Sequence, residues 1–325
     1  MTTQRKIRLA VIGCGEHAEV GHAIPLARYK ATHPEGIELA AACDMQLHRA
    51  QKFCSTYGFR TPYRDIGEML SREDIDGCIT VVPPERISEI GIMVLETGIP
   101  CVVEKPLGST LAEVKALCTV AISSGTANMV SVNRRFMPLL NCALHWTRNA
   151  GPIRYIRATM ARHSRSEPEF IWATAVHAVD TLRYLGGGVA RFDCSPVCST
   201  ANSVQWYMIQ LHFQNGAEGR IDVLPTSGML EETYDLFGDG FRVSVTCPFG
   251  KKRGWIAYRD GVVVEEDVAP SDTPEDVLNG CYDETAVFIE ALRDGRALKP
   301  TIADVAPSVE ICMSIAESMN LEGFR

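Results

Sequence analysis

The sequence predicts an α/β chain in two parts: a doubly wound parallel sheet, then an α+β part with a large, open, mainly antiparallel sheet. Three observations predict it. An apolar run over residues 7–12 ends in the glycine turn Gly13-Cys-Gly15-Glu-His-Ala18, which opens a segment of helical spacing. Strand and helix signals then alternate up to Val132, as a parallel sheet requires. Beyond Asn133 the alternation stops, and short strand signals follow one another with glycine turns but no helices between them, which means antiparallel pairing. At 325 residues the chain exceeds one typical core. The change of rhythm divides it into residues 1–132 and 133–325.

Taken in order, the first helix must accommodate Pro25, which removes a backbone donor and kinks or divides it. His33-Pro-Glu-Gly36 is a loop. A second apolar strand over 37–43 ends in Asp44, and a helix follows over 47–57. A short strand at 61–63 precedes Asp65-Ile-Gly-Glu68, which has capping-box spacing for a small helix. The run Gly77-Cys-Ile-Thr-Val-Val82 reads as a strand covered on both faces, stopped by Pro83-Pro84 at the edge where ligands sit in such sheets. A helix over 85–97, a strand over 100–104, a capping box Thr110-Leu-Ala-Glu113 opening a helix to 123, and a strand over 129–132 complete the first part. The second part opens with a helix over 138–149, an alternating strand over 153–160 and a helix over 172–185. Strands follow near 190–198, 203–213, 218–224, 231–237, 241–247, 254–258 and 261–266, and helices over 282–293 and 302–320 close the chain.

Composition excludes several function classes. A net charge of −8 gives no general attraction to nucleic acid or to an anionic membrane surface. No apolar run approaches membrane-spanning length, and the N-terminal residues lead into the first strand rather than into a signal-type region, so the cytoplasm is expected. The twelve cysteines are scattered through strands and helices and read as small core residues. Cys194 and Cys198 lack a histidine at metal-ligand spacing, and no metal site is expected.

The chemistry starts at the glycine turn. Gly13 permits the tight exit from the strand, Gly15 lets backbone approach a pyrophosphate, and small Ala18 lets the helix pack on the sheet. With Asp44 at the end of the second strand, placed to hold ribose hydroxyls, the context predicts a dinucleotide site. Asp44 favours NAD by repelling a 2′-phosphate, while Arg49, close by in sequence, offsets that repulsion and keeps NADP open. Glu104-Lys105-Pro106 lies just past a parallel strand: Lys105 is either a group that binds or deprotonates a substrate hydroxyl or a surface lysine beside a turn. His177 and Asp180, three apart on one helical face, are either an acid/base with an orienting carboxylate or a pair bonding its own turn. Arg134, in Asn133-Arg-Arg135 at the crossing between the halves, either lines the cleft or bonds a loop.

The glycine turn, Asp44, Pro83-Pro84, Glu104-Lys105-Pro106 and the downstream His177-x-x-Asp180 together resemble the glucose-fructose oxidoreductase / inositol dehydrogenase / MocA family over the full length of the chain. The resemblance implies an N-terminal Rossmann domain and a C-terminal domain whose open sheet serves subunit association, hence a homo-oligomer, dimer or tetramer. It implies hydride transfer between NAD(P) and a carbon of a sugar, cyclitol or related polyol. Lys105 and His177 are then the catalytic pair, with Asp180, Arg134 and Trp172 at the substrate. Gly13, Gly15, Glu16, His17, Ala18, Asp44, Pro83, Pro84, Glu104 and Lys105 fall to the cofactor.

The chain also departs from the pattern. Ala173 stands where many family members carry an aspartate four residues before the histidine, and Glu167-Pro-Glu-Phe-Ile-Trp172 replaces a glycine-rich lead. Trp172 is an apolar wall for a sugar ring or a packed core residue. Arg162-His-Ser-Arg165 supplies cations for an anionic substrate or is a solvated loop. Two other functions compete: a redox-assisted glycosidase that recycles tightly held NAD, and a dinucleotide or sugar sensor without turnover.

Overall fold

The structure is a computed structural model that describes residues 5–167, 169–198 and 205–319. The first four residues, the expected strand start at 203–204 and the expected helical residue Asn320 lie outside the described residues.

Six strands, β1 (Ile7–Ile12), β2 (Ile37–Cys43), β3 (Thr61–Tyr63), β4 (Gly77–Thr80), β5 (Cys101–Glu104) and β6 (Asn128–Ser131), form a parallel sheet in the order β3-β2-β1-β4-β5-β6. The order reverses between β1 and β4, and a crevice opens at the carboxyl ends of the strands there. Leu9 to Ile12 and Leu39 to Cys43 are buried without alternation, as helices on both faces demand. The first helix is divided, as Pro25 requires, but the division falls before the proline. It runs as α1 (Glu16–Ala18), a π turn (Glu19–Ala23) and α2 (Ile24–Thr32), and the Ile24 N–H reaches back to the Glu19 carbonyl. Pro25 has no N–H to offer the turn before it, and the wider turn reorganises those bonds.

The remaining helices of this part are α3 (Leu47–Tyr57), α4 (Ile66–Arg72), α5 (Pro84–Glu96) and α6 (Leu111–Ser124). Gly58, at φ 80°, closes α3 in the left-handed conformation that a side chain would resist. The side chain of Asp65 accepts the Glu68 N–H at 2.7 Å, and Thr110 with Glu113 forms the complete reciprocal box at α6.

The second part begins with a 3₁₀ turn (Asn133–Phe136), α7 (Pro138–Ala150) and β7 (Ile153–Ala161). The expected helix over 172–185 is two helices, α8 (Phe170–Ala173) and α9 (Val176–Gly186), parted at Thr174-Ala175. Strands β8 (Val189–Cys198), β9 (Gln205–Phe213), β10 (Glu218–Leu224), β11 (Glu231–Gly238), β12 (Phe241–Thr246), β13 (Gly254–Arg259) and β14 (Val262–Val268) follow, then α10 (Glu275–Leu278), α11 (Cys281–Asp294) and α12 (Ile302–Ser318). The eight-stranded sheet has the order β14-β13-β12-β11-β7-β10-β9-β8. All pairs are antiparallel except β7 with β10, because the hairpins β8-β9-β10 bring β10 back beside β7 in the same sense. Helices α7 and α9 pack on one face. The other carries charged side chains such as Arg157 with Asp235 and Arg220 with Asp222.

One compact unit runs through Val132 and resumes over Cys281–Pro307; the other is Asn133–Gly280 and resumes at Ser308. The expected single division at 132/133 is therefore corrected at its distal end. Phe288 and Ile289 of α11 are buried, and the helix packs on α2 and β1, covering apolar surface of the first unit. No helix among the described residues is long and apolar enough to cross a membrane.

Candidate active site

In the first unit the turn after β1 is shaped by two glycines with different reasons. Gly13 has φ +94°, and a Cβ there would lie 1.8 Å from the Val81 carbonyl oxygen. The chain leaving β1 must cross the end of its neighbour β4, and only glycine fits. Gly15 has an ordinary φ of −84°, but its Cβ position faces open space with nothing within 4 Å. It also holds the cap position of α1 with no side chain to bond the first helical N–H groups. Bare backbone and uncapped N–H groups fit a pyrophosphate.

Asp44 is fixed beside this turn. Its Oδ2 accepts the Cys14 N–H at 3.0 Å and its Oδ1 the Gln46 N–H at 2.8 Å, which leaves lone pairs on both oxygens for ribose hydroxyls. Gly13, Gly15, Asp44 and Pro83 line one cavity of about 670 Å³ at the carboxyl edge of the sheet. Its lining also includes Met45, Arg64, Arg86 and Met93, which sequence reasoning missed, although their positions after β2 and β3 and along α5 follow from the strand order. Glu16, His17, Ala18, Pro84, Glu104 and Lys105 are not among its lining residues. Ala18 is fully buried, packing the helix start, and Pro84 is the first residue of α5.

Glu104, expected at the cofactor, is turned into the protein. Its Oε1 lies 3.1 Å from His17 Nε2 and 2.9 Å from His22 Nε2, and its Oε2 accepts the Lys105 N–H at 3.0 Å. Burial pushes this carboxyl up, but the charge and hydrogen bonds of His17 and His22 outweigh it and hold it well below its ordinary 4.5. The carboxylate ties β5 to the first helix and fixes the backbone of half-buried Lys105. His22 was missed because the π turn, which has no sequence rule, sets its direction.

In the second unit His177 is buried near the start of α9, with its N–H on the Thr174 carbonyl at 3.1 Å and its own carbonyl accepting the Thr181 hydroxyl at 2.7 Å. Asp180 shares its face but is 1% exposed. Both carboxylate oxygens receive Arg135 at 2.7 Å, and Oδ1 also receives the Ser308 hydroxyl at 2.8 Å. The substrate contact expected of Asp180 is corrected to an internal ion pair.

Arg134 is likewise turned inward. It holds Glu232 through Nε at 3.2 Å and Nη2 at 2.9 Å, and Arg162 binds the same carboxylate. Tyr234 donates to it at 3.1 Å, and both guanidinium groups lie over the Phe249 ring. Burial pushes Glu232 up, yet Arg134 and Arg162 hold it below its ordinary value. Arg165 pairs with Glu167 and stacks on Phe170. Trp172 is 5% exposed, a packed core residue rather than an open wall.

The profile of an oxidoreductase family with an NAD-binding Rossmann fold matches residues 7–133. The chain is 24% identical over 305 residues to 4-carboxy-2-hydroxymuconate-6-semialdehyde dehydrogenase of Sphingobium, covering 89% of this chain and 93% of that one. It is 24% identical over 335 residues to scyllo-inositol 2-dehydrogenase (NAD(+)) of Bacillus subtilis, covering 96% and 93%. Residues 7–133 match the NAD-binding domain of the glucose-fructose oxidoreductase / inositol dehydrogenase / MocA family. The chain is an NAD(P)-dependent oxidoreductase. The likeness of fold extends over both units: a levoglucosan dehydrogenase solved with NADH and levoglucosan superposes with a TM-score of 0.84 at 18% identity, covering 97% of each chain.

Proposed function

We propose that this oxidoreductase transfers hydride between NAD(P) and a carbinol carbon of a sugar, cyclitol or related polyol, in either direction. The observation that carries this reading is Lys105. It is the first residue beyond β5, at the carboxyl edge of the dinucleotide-binding sheet, with its N–H fixed by buried Glu104. Bound NAD(P)+ supplies the hydride acceptor at its nicotinamide ring. Lys105 holds and polarises the substrate oxygen, and His177 takes the hydroxyl proton as the C–H pair leaves and the carbonyl forms. In reduction His177 returns that proton. Asp180 acts through Arg135, and Arg134 through Glu232, as positioning groups.

The substrate class is supported by the inositol and levoglucosan named for two relatives. Arg162 and Arg165 each face a carboxylate of the chain, so neutral polyols come before acidic ones. We place the enzyme in the cytoplasm, as its free thiols suit, and assign a homo-oligomer through the open face of the eight-stranded sheet.

A panel of sugars, cyclitols and sugar acids, followed at the NADH absorbance band, tests the reading. A neutral polyol is expected to turn over, and Lys105→Met to lower kcat by about a hundredfold or more, with cofactor affinity kept. No turnover across the panel, or unchanged turnover in Lys105→Met, overturns it.

A further inference from the structure

Two imidazoles five residues apart meet one oxygen of buried Glu104. His17 Nε2 lies 3.1 Å from Glu104 Oε1, and His22 Nε2 lies 2.9 Å from the same atom. On an α-helix a spacing of five leaves side chains about 140° apart. The π turn over Glu19–Ala23 intervenes, and its wider winding brings the second imidazole back beside the first. The two differ in access: the His22 side chain is 3% exposed, whereas that of His17 is 60% exposed. Burial pushes the Glu104 carboxyl up, and His17, ahead of His22, brings it down.

His17 also belongs to the dinucleotide turn. It is the second helical residue beyond Gly15, whose bare backbone lines the cavity. Glu104 and Lys105 are not among the residues lining that cavity, yet Glu104 accepts the Lys105 N–H on its other oxygen, Oε2, at 3.0 Å. One run of contacts therefore leads from the glycine turn through the His17 ring and the Glu104 carboxylate to the backbone of Lys105. The buried imidazole of His22 is enough to anchor the carboxylate to the first helix. The exposed second donor adds a link whose near end lies in the turn that a pyrophosphate fits.

We propose that His17 is a positioning residue for Lys105: it ties the glycine turn to Lys105 through Glu104, so that a pyrophosphate held at the turn firms the placement of the lysine. His17 donates its Nε2–H to the carboxylate, and a turn settled on a pyrophosphate fixes the ring from which that bond is made. This role rests on Lys105 being the group that holds the substrate oxygen. By linkage the effect runs both ways, and a well-placed Lys105 backbone favours the occupied turn.

Amide hydrogen exchange of the whole protein, read residue by residue by NMR, tests this without any substrate. A failed polyol panel thus leaves its result standing. Exchange at Lys105 is taken relative to Val103, which reports opening of β5. Adenosine 5′-diphosphoribose is the decisive probe, since it carries the pyrophosphate but no nicotinamide to cover Lys105. In wild type, saturating adenosine 5′-diphosphoribose and NAD+ are each expected to slow Lys105 exchange by about fivefold or more. His17→Ala is expected to lose that response, with Val103 exchange unchanged in the absence of ligand. His17→Gln, whose side-chain N–H reaches where the Nε2–H stands, is expected to keep most of it. The proposal is overturned if adenosine 5′-diphosphoribose leaves Lys105 unchanged in wild type, if His17→Ala still responds, or if both variants lose the response alike. Faster Val103 exchange in His17→Ala also overturns it, because His17 would then be a structural support of the strand.

Discussion

Glu104 and Glu232 are buried carboxylates held below their ordinary range, Glu104 by His17 and His22 and Glu232 by Arg134 and Arg162, and they set how the protein responds to acid. Both have carboxyl groups held below their ordinary 4.5 in the fold. Between the folded and unfolded values the unfolded chain binds more protons, so stability rises with pH there. Their contribution is complete above about pH 4.5 and is lost as pH falls through the folded values. Glu232→Gln removes the buried carboxylate that Arg134 and Arg162 share, and is expected to cost about 3–5 kcal/mol at pH 7. It should also flatten the acid decline. Urea midpoints of wild type and variant from pH 7 down to pH 3 would show both effects; equal stability at pH 7 removes the structural role. At this scale the sequence was legible where a residue's job is fixed by its own backbone. Gly13, Gly15 and Asp44 stand where the strand-turn-helix pattern put them. Asp180 and Arg134 were read as substrate groups because their partners are 45 and 98 residues away, and only folding brings Arg135 and Glu232 to them.

Among elements, local chemistry and tertiary demand divide the outcome. The strands of both sheets follow from apolar runs and turn glycines, and α6 follows from its cap. Thr110 accepts the Glu113 N–H at 3.2 Å while Glu113 accepts the Thr110 N–H, also at 3.2 Å. Thr110→Ala is expected to cost about 1 kcal/mol of stability, and Thr110→Ser to keep most of it. Chemical denaturation distinguishes the two, and equal loss in both would mean that the threonine methyl, not the hydroxyl, carries the effect. The break between α8 and α9 has no such signal. Thr174-Ala175 contains neither glycine nor proline, and its geometry is held by bonds to the α8 backbone and to the loop before it. The Ala175 N–H spans five residues to the Phe170 carbonyl at 2.8 Å, and Arg165 reaches the Thr174 hydroxyl at 3.3 Å. The π turn before Pro25 lies between these cases: the proline announced a disruption but not its form.

For the whole molecule, the consequential departure is that the dinucleotide-binding unit is discontinuous in sequence. A change of rhythm after Val132 marks where the chain leaves that unit, but nothing in the amphipathic pattern of α11 says which core it returns to. Gly77 records the answer in packing. A Cβ on it would meet Leu292 Cδ1 at 2.6 Å and Phe288 Cζ at 2.8 Å, so the start of β4 is pared to backbone to admit α11. Phe288, 1% exposed, then belongs to the core under β1 and β4, more than 150 residues after the unit first closes. Phe288→Ala is expected to destabilise that unit by about 3–5 kcal/mol through lost burial and a cavity. NAD+ binds only the folded unit, so a hundredfold excess over its Kd should return about 2.7 kcal/mol. Thermal melts with and without NAD+ provide the measurement, and they distinguish this unit from the other. If Phe288 supported the second unit instead, its loss would lower a transition that saturating NAD+ leaves in place.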